Sequence, residues 1–254
     1  MELNCVTSEL DYTLEQGAGF FQAYSFTQAE SDEIVEFIRE QWLERIKEVN
    51  PKAWKYFSEI ALYDYHKLSH LLDHGSTWIK SARMFSKSVA NKIRKMSLIQ
   101  KIESEYGPII IVDQEDIGHE EFDWRLVRPN EPLDVGPLHA DAWFAELGHG
   151  YKSSKDHKAD KVWVSLYSEP GLSGLQVVPY SQKKEWRYHG ELRGSFVKPK
   201  IDEDEEALGP VLLNTKMGNA VIFHDRLLHR GAINRGSKTR VSMEFMIFVK
   251  RASA

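Results

Sequence analysis

Hydrophobic positions between about residues 25 and 105 recur at helical spacing. Thr27 and Glu30 stand three apart, the spacing at which an N-cap hydroxyl and a following carboxylate satisfy two backbone N–H groups reciprocally. Beyond them Val35, Ile38, Trp42, Ile46 and Val49, with Ile34 alongside, fall on one stripe and predict a helix with one buried face. Trp54, Phe57, Ile60 and Ala61 mark a second helix. Trp78, Ala82, Phe85, Val89, Ile93 and Met96 mark a third, whose Lys87, Lys92, Arg94 and Lys95 read as a solvated face.

From about Pro108 the period shortens to short runs rich in Val, Ile, Phe and Trp, punctuated by Gly, Pro, Asn and Asp. Strands are expected at Ile109–Val112, Trp124–Arg128, Val162–Tyr167, Leu175–Val178, Val211–Leu213, Ala220–His224 and Arg240–Val249. So many strands without helices between them favour an antiparallel sandwich or barrel. Two long polar connections, Glu146–Lys161 and Gln182–Gly209, interrupt the strands, and the second carries the acidic run Asp202–Glu206. The reading is an α+β chain whose length suits one large domain or two small ones, helical over about 25–105 and a sandwich or barrel over about 106–250.

Composition narrows the function. The 254 residues carry 33 Lys+Arg against 38 Asp+Glu, a net charge of −5 with no basic block, so a nucleic-acid backbone is not an expected partner. No window approaches the roughly 18 apolar residues of a membrane span. The single cysteine, Cys5, has no internal disulfide partner, and the opening Met1-Glu2-Leu3-Asn4 lacks the basic and apolar regions of a secretion signal. A cytoplasmic, soluble protein acting on a small molecule is expected.

The chemistry concentrates in three places. In Gly136-Pro137-Leu138-His139-Ala140-Asp141-Ala142-Trp143, an extended backbone turns His139 and Asp141 to the same side and Ala140 away, so an imidazole and a carboxylate converge. A further ligand is sought in the segment Gly218–Gly231, which offers both His224 and His229. Two His and one carboxylate form the facial triad of non-haem iron oxygenases, with positions left open for co-substrate and dioxygen. In the last strand Arg240, Ser242 and Glu244 share one face and Val241, Met243, Phe245, Ile247 and Val249 the other. A guanidinium facing a barrel interior needs an anion, either an internal partner such as Glu244 or a dicarboxylate ligand.

Together these segments resemble the phytanoyl-CoA dioxygenase-like family of Fe(II)- and 2-oxoglutarate-dependent oxygenases, over roughly residues 105–250 with a weaker likeness in the helices. His139-Ala140-Asp141 is similar to the family's His-x-Asp, and Phe223-His224 through Leu228-His229, Gly231 and Asn234 to its distal pattern. The resemblance selects His229 over His224, and it places the 2-oxoglutarate arginine eleven residues later, at Arg240. Two departures stand out: Arg230 separates His229 from Gly231, and in Gly174–Gln182 Tyr180 and Gln182 replace the usual Gly and His.

The resemblance implies a double-stranded β-helix (a jelly-roll or cupin-like barrel) with the N-terminal helices packed on its sheet. It implies Fe(II) held by His139, Asp141 and His229, and 2-oxoglutarate held by Arg240 with Ser242. Dioxygen is the remaining co-substrate. The implied reaction oxidises an unactivated C–H bond, releasing succinate and carbon dioxide, and the carboxylate of Asp141 favours hydroxylation over halogenation. Arg128 and Trp143 are the candidates for touching substrate. The competing class is a non-redox, metal-binding cupin-like isomerase or a ligand-binding module, neither of which needs an inward arginine.

Overall fold

The computed structural model describes residues 8–151, 154–193 and 196–251; Cys5 and the start of the chain lie outside them. The helices are α1 (Glu9–Glu15), α2 (Gln28–Val49), α3 (Pro51–Ser58), α4 (His74–Thr77), α5 (Lys87–Ile93), α6 (Ser97–Tyr106) and α7 (Asp141–Glu146). The strands are β1 (Phe20–Phe21), β2 (Ile110–Ile111), β3 (Asp123–Val127), β4 (His157–Tyr167), β5 (Leu175–Val177), β6 (Tyr188–Arg193), β7 (Phe196–Ile201), β8 (Val211–Leu212), β9 (Ala220–His224), β10 (His229–Gly231) and β11 (Arg240–Lys250).

The capping box at Thr27 and Glu30 forms with both of its bonds and starts α2. The helix buries Ile34, Ile38, Trp42 and Ile46, each 0% exposed, in steps of four. Val49 departs from the expected stripe: it is 39% exposed in the last turn, beyond the reach of the core. In α3 Ala53 and Phe57 are buried, whereas Trp54 lies at the surface and the helix stops at Ser58, short of Ile60 and Ala61. The third expected helix is broken. Met84 forms a bridge to Asp123 and the Phe85 N–H donates to the Phe122 carbonyl, so the sheet claims this backbone, and Ser86 then caps a separate α5.

Every strand pairing is antiparallel. The larger sheet runs β1-β9-β4-β11-β2, with β3 also on β11, and β3 and β2 share one edge of that strand. The smaller sheet runs β10-β5-β8. One face of the larger sheet, carrying Val162, Val164, Leu166, Met243, Phe245 and Ile247, packs on the helices around Trp42 and Phe57. The opposite face sends Trp163, Val221 and Phe223 towards Leu175, Val177 and Leu213 of the smaller sheet side. The site lies between these two layers.

The polar connections hold more structure than their composition suggests. β4 begins at His157, because ten residues of β11 pair with it and outweigh the polarity of His157–Lys161. Within Gln182–Gly209, β6 and β7 form a hairpin in register from Tyr188↔Ile201 to Arg193↔Phe196. Among the described residues no helix is long and apolar enough to cross a membrane.

Trp42 meets the rings of Phe57 and Tyr65 edge-on at 5.4 and 6.2 Å, and its indole N–H is buried without a partner. Trp42→Ala is expected to lower stability by about 3–5 kcal/mol in urea unfolding. Trp42→Phe should cost less than half as much, since most ring contacts persist and an unsatisfied donor disappears. Equal losses in the two variants would refute this account of the helix–sheet core.

Candidate metal centre

β10 opens at His229 and pairs with β5 through Val177, while its other side meets His139 in an isolated bridge. The two histidines exchange backbone hydrogen bonds, His139 N–H to His229 O at 3.1 Å and His229 N–H to His139 O at 2.9 Å. Ala140 is extended, as expected, with φ −111° and ψ 140°, but it is also the last extended residue: Asp141 starts α7. The chain therefore bends back at once and brings the Asp141 carboxylate under both rings.

The Nε2 of His229 lies 3.7 Å from Asp141 Oδ2 and that of His139 3.9 Å from Oδ1. One ligand atom from each of the three residues lies within 4.8 Å of the others, a set able to hold a metal ion. Each ring is aimed by its other nitrogen: His139 Nδ1 is 2.8 Å from the Pro137 carbonyl and His229 Nδ1 2.9 Å from that of Leu227. A carbonyl accepts only, so both Nδ1 atoms carry the proton and both Nε2 atoms present lone pairs to the centre. Burial, followed by the field of His229, pulls the His139 imidazole down to about 4, which keeps it in the neutral, ligating form at neutral pH. Asp141 Oδ2 is buried and accepts no hydrogen bond from any described residue. A buried carboxylate oxygen without a donor is costly, and a cation between the two Nε2 atoms removes that cost.

Arg240 closes the other end of the same interior. Only 2% exposed, it donates Nη1 to the carbonyls of Gly174 and Ala232, and its Nε is buried without a partner among the described residues. Its guanidinium stands 5.9 Å from the Trp163 ring, and a Cβ on Gly231 would lie 2.9 Å from Nη2, so a side chain there would push the guanidinium from its place. Burial pulls this arginine down to about 10, still cationic at neutral pH. Glu244, the internal partner that the shared face allows, instead accepts from Arg125 Nε at 2.8 Å, and Arg240 has no carboxylate bonded to it among the described residues. Ser242 is 1% exposed on the same face, between Arg125 and Ser165 of the neighbouring strands.

A family model described as Phytanoyl-CoA dioxygenase (PhyH) matches residues 32–242. The chain belongs to that family of Fe(II)- and 2-oxoglutarate-dependent oxygenases. The match takes in α2 and the helices that follow it, well beyond the portion whose motifs carry the resemblance. Among solved structures, the apo non-heme monooxygenase ThoJ is similar at 16% identity and a TM-score of 0.57, over 91% of this chain and 74% of that one. EctD from S. alaskensis, solved with 2-oxoglutarate and 5-hydroxyectoine, is similar at 13% identity and a TM-score of 0.54, over 98% and 78%. SnoK, a non-heme alpha ketoglutarate dependent carbocyclase from nogalamycin biosynthesis, gives 11% and 0.51, over 95% and 84%. At these identities the likeness establishes the fold. No significant match among curated proteins was found.

The departures from the phytanoyl-CoA dioxygenase pattern have structural reasons. Arg230 donates to Gln176 of β5 and to Glu205 and Glu206, while Glu205 also accepts from the Leu138 N–H. The acidic run is thus fastened beside both histidines instead of hanging free. Tyr180 keeps the left-handed backbone expected of the glycine it replaces, with φ 67°. Gln182 donates to the carbonyls of Leu14 and Gly17 and so ties the turn to α1.

His224 points away from the triad. Burial pulls its imidazole down, but hydrogen bonds to Asp225 and Glu15 and the fields of Asp225 and Asp160 outweigh it, pushing it up to about 9. Its Nδ1 is 3.0 Å from Asp225 Oδ1 and equally 3.0 Å from the Arg226 N–H; only the neutral ring can accept the latter, so deprotonation exchanges one partner for the other. Arg128 is committed to Asp134 through two bonds of 2.9 and 2.8 Å. Trp143 is 3% exposed and stacks on Tyr188 of the hairpin at 4.4 Å and 7°. Sequence reasoning passed over Arg125 and Lys161, which also face the interior. The signal was present for Arg125, since Trp124 and Leu126 take the helix side and leave it the other face.

Two outcomes are expected. His224 gives its full stabilisation below its unshifted value of 6.5 and loses it as pH rises through about 9. Glu15, held at about 2 by the hydrogen bond to His224 and the charge of Lys158 against the opposing effect of burial, contributes above 4.5 and loses its share as pH falls through 2. The melting temperature of wild type should therefore exceed that of His224→Gln at pH 6 and converge with it above pH 9; a constant gap would refute the pairing. Arg230→Ala should speed hydrogen exchange at residues 202–206 several-fold while costing no more than about 1 kcal/mol of global stability, because its partners are partly exposed. Unchanged exchange there would show that the acidic run needs no anchor.

Proposed function

We propose that this protein is a non-haem Fe(II)- and 2-oxoglutarate-dependent dioxygenase that hydroxylates an unactivated C–H bond of a small molecule, releasing succinate and carbon dioxide. The sheets are read as a double-stranded β-helix within one domain. The observation that carries the reading is a pair of unmet electrostatic demands in one interior: Asp141 Oδ2 without a donor and Arg240 without a carboxylate. An iron and a dicarboxylate answer both. A non-redox metal site leaves the arginine unexplained.

His139, Asp141 and His229 would hold the metal from one side, leaving its other positions open. Bound Fe(II) with 2-oxoglutarate and dioxygen supplies the oxidising power that no side chain has. Arg240, with the Ser242 hydroxyl on its face, would hold the far carboxylate of 2-oxoglutarate by charge-assisted bonds in a buried place where they are strong. Trp163 and Phe223 line the interior and keep it dry; Phe223 packs on the His229 ring at 4.5 Å. Arg128 and Trp143 support the wall, the first by holding Asp134 and the second by carrying the hairpin.

Anaerobic addition of Fe(II) and 2-oxoglutarate should give a weak visible charge-transfer band. His229→Ala should abolish it. Arg240→Ala should weaken 2-oxoglutarate at least tenfold, or about 1.4 kcal/mol, with iron affinity changed far less. A missing band in wild type, or equal losses of both ligands in Arg240→Ala, would overturn the assignment.

A further inference from the structure

The larger sheet presents a second polar group to the same interior. Arg125 and Lys161 lie on its inner face: their neighbours Trp124, Leu126 and Val162 are in the helix-side core, and Lys161 sits across from Met246 and Phe223 in the ladder. Lys161 is 6% exposed and makes no hydrogen bond or ion pair with any described residue; burial pulls its ammonium down, but the fields of Glu244, Asp141 and Asp123 outweigh burial and push it up, so it is held charged at a distance from each of them. Arg125 differs in kind. Its side chain is 45% exposed, it bonds the partly buried Glu244, and it lies in the field of Asp123 and Asp141 on the inner face of the sheet.

The charges around this cavity do not cancel. Arg83 is paired with Asp123 at 3.1 Å and Arg125 with Glu244 at 2.8 Å. On the dioxygenase reading, a divalent metal, the dianionic co-substrate, Asp141 and Arg240 balance one another. Lys161 then remains as the buried cation of this group that has no carboxylate bonded to it among the described residues. Protonating Asp123, whose carboxyl burial pushes up, would only enlarge the excess. An ammonium to which no group bonds directly has its donors free for an anion, and on the same face the exposed edge of the Arg125 guanidinium offers further donors in a planar fork.

We infer that Lys161 and Arg125 form the substrate's anion subsite, and that the substrate is a small molecule bearing a carboxylate, seated so that the carbon beyond it faces the metal. Within the acidic run, Glu205 and Glu206 are consumed by Arg230 and Glu205 also by the Leu138 N–H. Lys161, opposite Met246, stands at the far end of β11's inner row from Arg240, which donates to Gly174 and Ala232; Arg125, opposite Ser242, lies between the two. The inference rests on the dioxygenase reading for its charge balance.

The test uses protein loaded anaerobically with Fe(II) and saturating 2-oxoglutarate, titrated with propionate as the probe and propylammonium as the cationic control. Propionate should bind saturably in the millimolar range by calorimetry and perturb the charge-transfer band; propylammonium should do neither. Lys161→Met and Arg125→Gln should each weaken propionate at least fivefold while leaving 2-oxoglutarate affinity within threefold and the melting temperature measurable. Lys161→Arg should restore most of the binding. A band that forms but ignores propionate, or propionate binding indifferent to Lys161→Met, overturns the subsite alone. A 2-oxoglutarate loss in Arg125→Gln as large as that in Arg240→Ala makes Arg125 a co-substrate anchor and also overturns it. If no band forms, the metal reading falls and the subsite with it.

Discussion

Two backbone hydrogen bonds between His139 and His229 hold this site together. They are local in space and remote in sequence, and they register one motif against the other independently of any side chain. Once the two main chains are locked, the carbonyls of Pro137 and Leu227 orient the imidazoles, and the start of α7 swings Asp141 beneath them. The main chain and two of its carbonyls thus aim the three side chains at one point. That pre-organisation carries a cost, visible as the donorless Asp141 oxygen, of the kind expected where a structure is arranged for a ligand and not for its own stability.

Much of this was legible in the residue pattern. Hydrophobic alternation located β9 and β11 almost to the residue, and the inward parity of Arg240 and Ser242 follows from the same rule. The His-x-Asp spacing placed two side chains together through one extended residue, as found. What the pattern could not give was structure imposed by pairing. His157–Lys161 are polar yet form a strand because β11 is there to receive them, and Met84 and Phe85 leave helical geometry because Asp123 and Phe122 capture their backbone. The β6–β7 hairpin, with polar and charged residues on both arms, gave no periodic signal.

The same limit applied to charge. Sequence placed Glu244 and Arg240 on one face and allowed them to be partners; the lateral neighbour Arg125, brought in by a strand over a hundred residues away, takes Glu244 and leaves Arg240 open. Conversely Arg128, a cation at a strand end, is absorbed by Asp134 six residues on. Which cations stay available is decided by who stands beside them across the ladder, information that no linear spacing contains.

The coverings of the cavity are fastened to residues that adjoin the metal-site side chains. Arg230, which grips the acidic run, follows His229 directly, and Trp143, which carries the hairpin, stands two places after Asp141. A shift of either cover pulls on the main chain of a neighbouring imidazole or carboxylate. Admission and geometry are in consequence one mechanical system: sequence drift in the outer loops, the usual route to a new guest, is felt at the centre, and retuning the entrance without detuning the centre requires paired changes on both sides of each fastening.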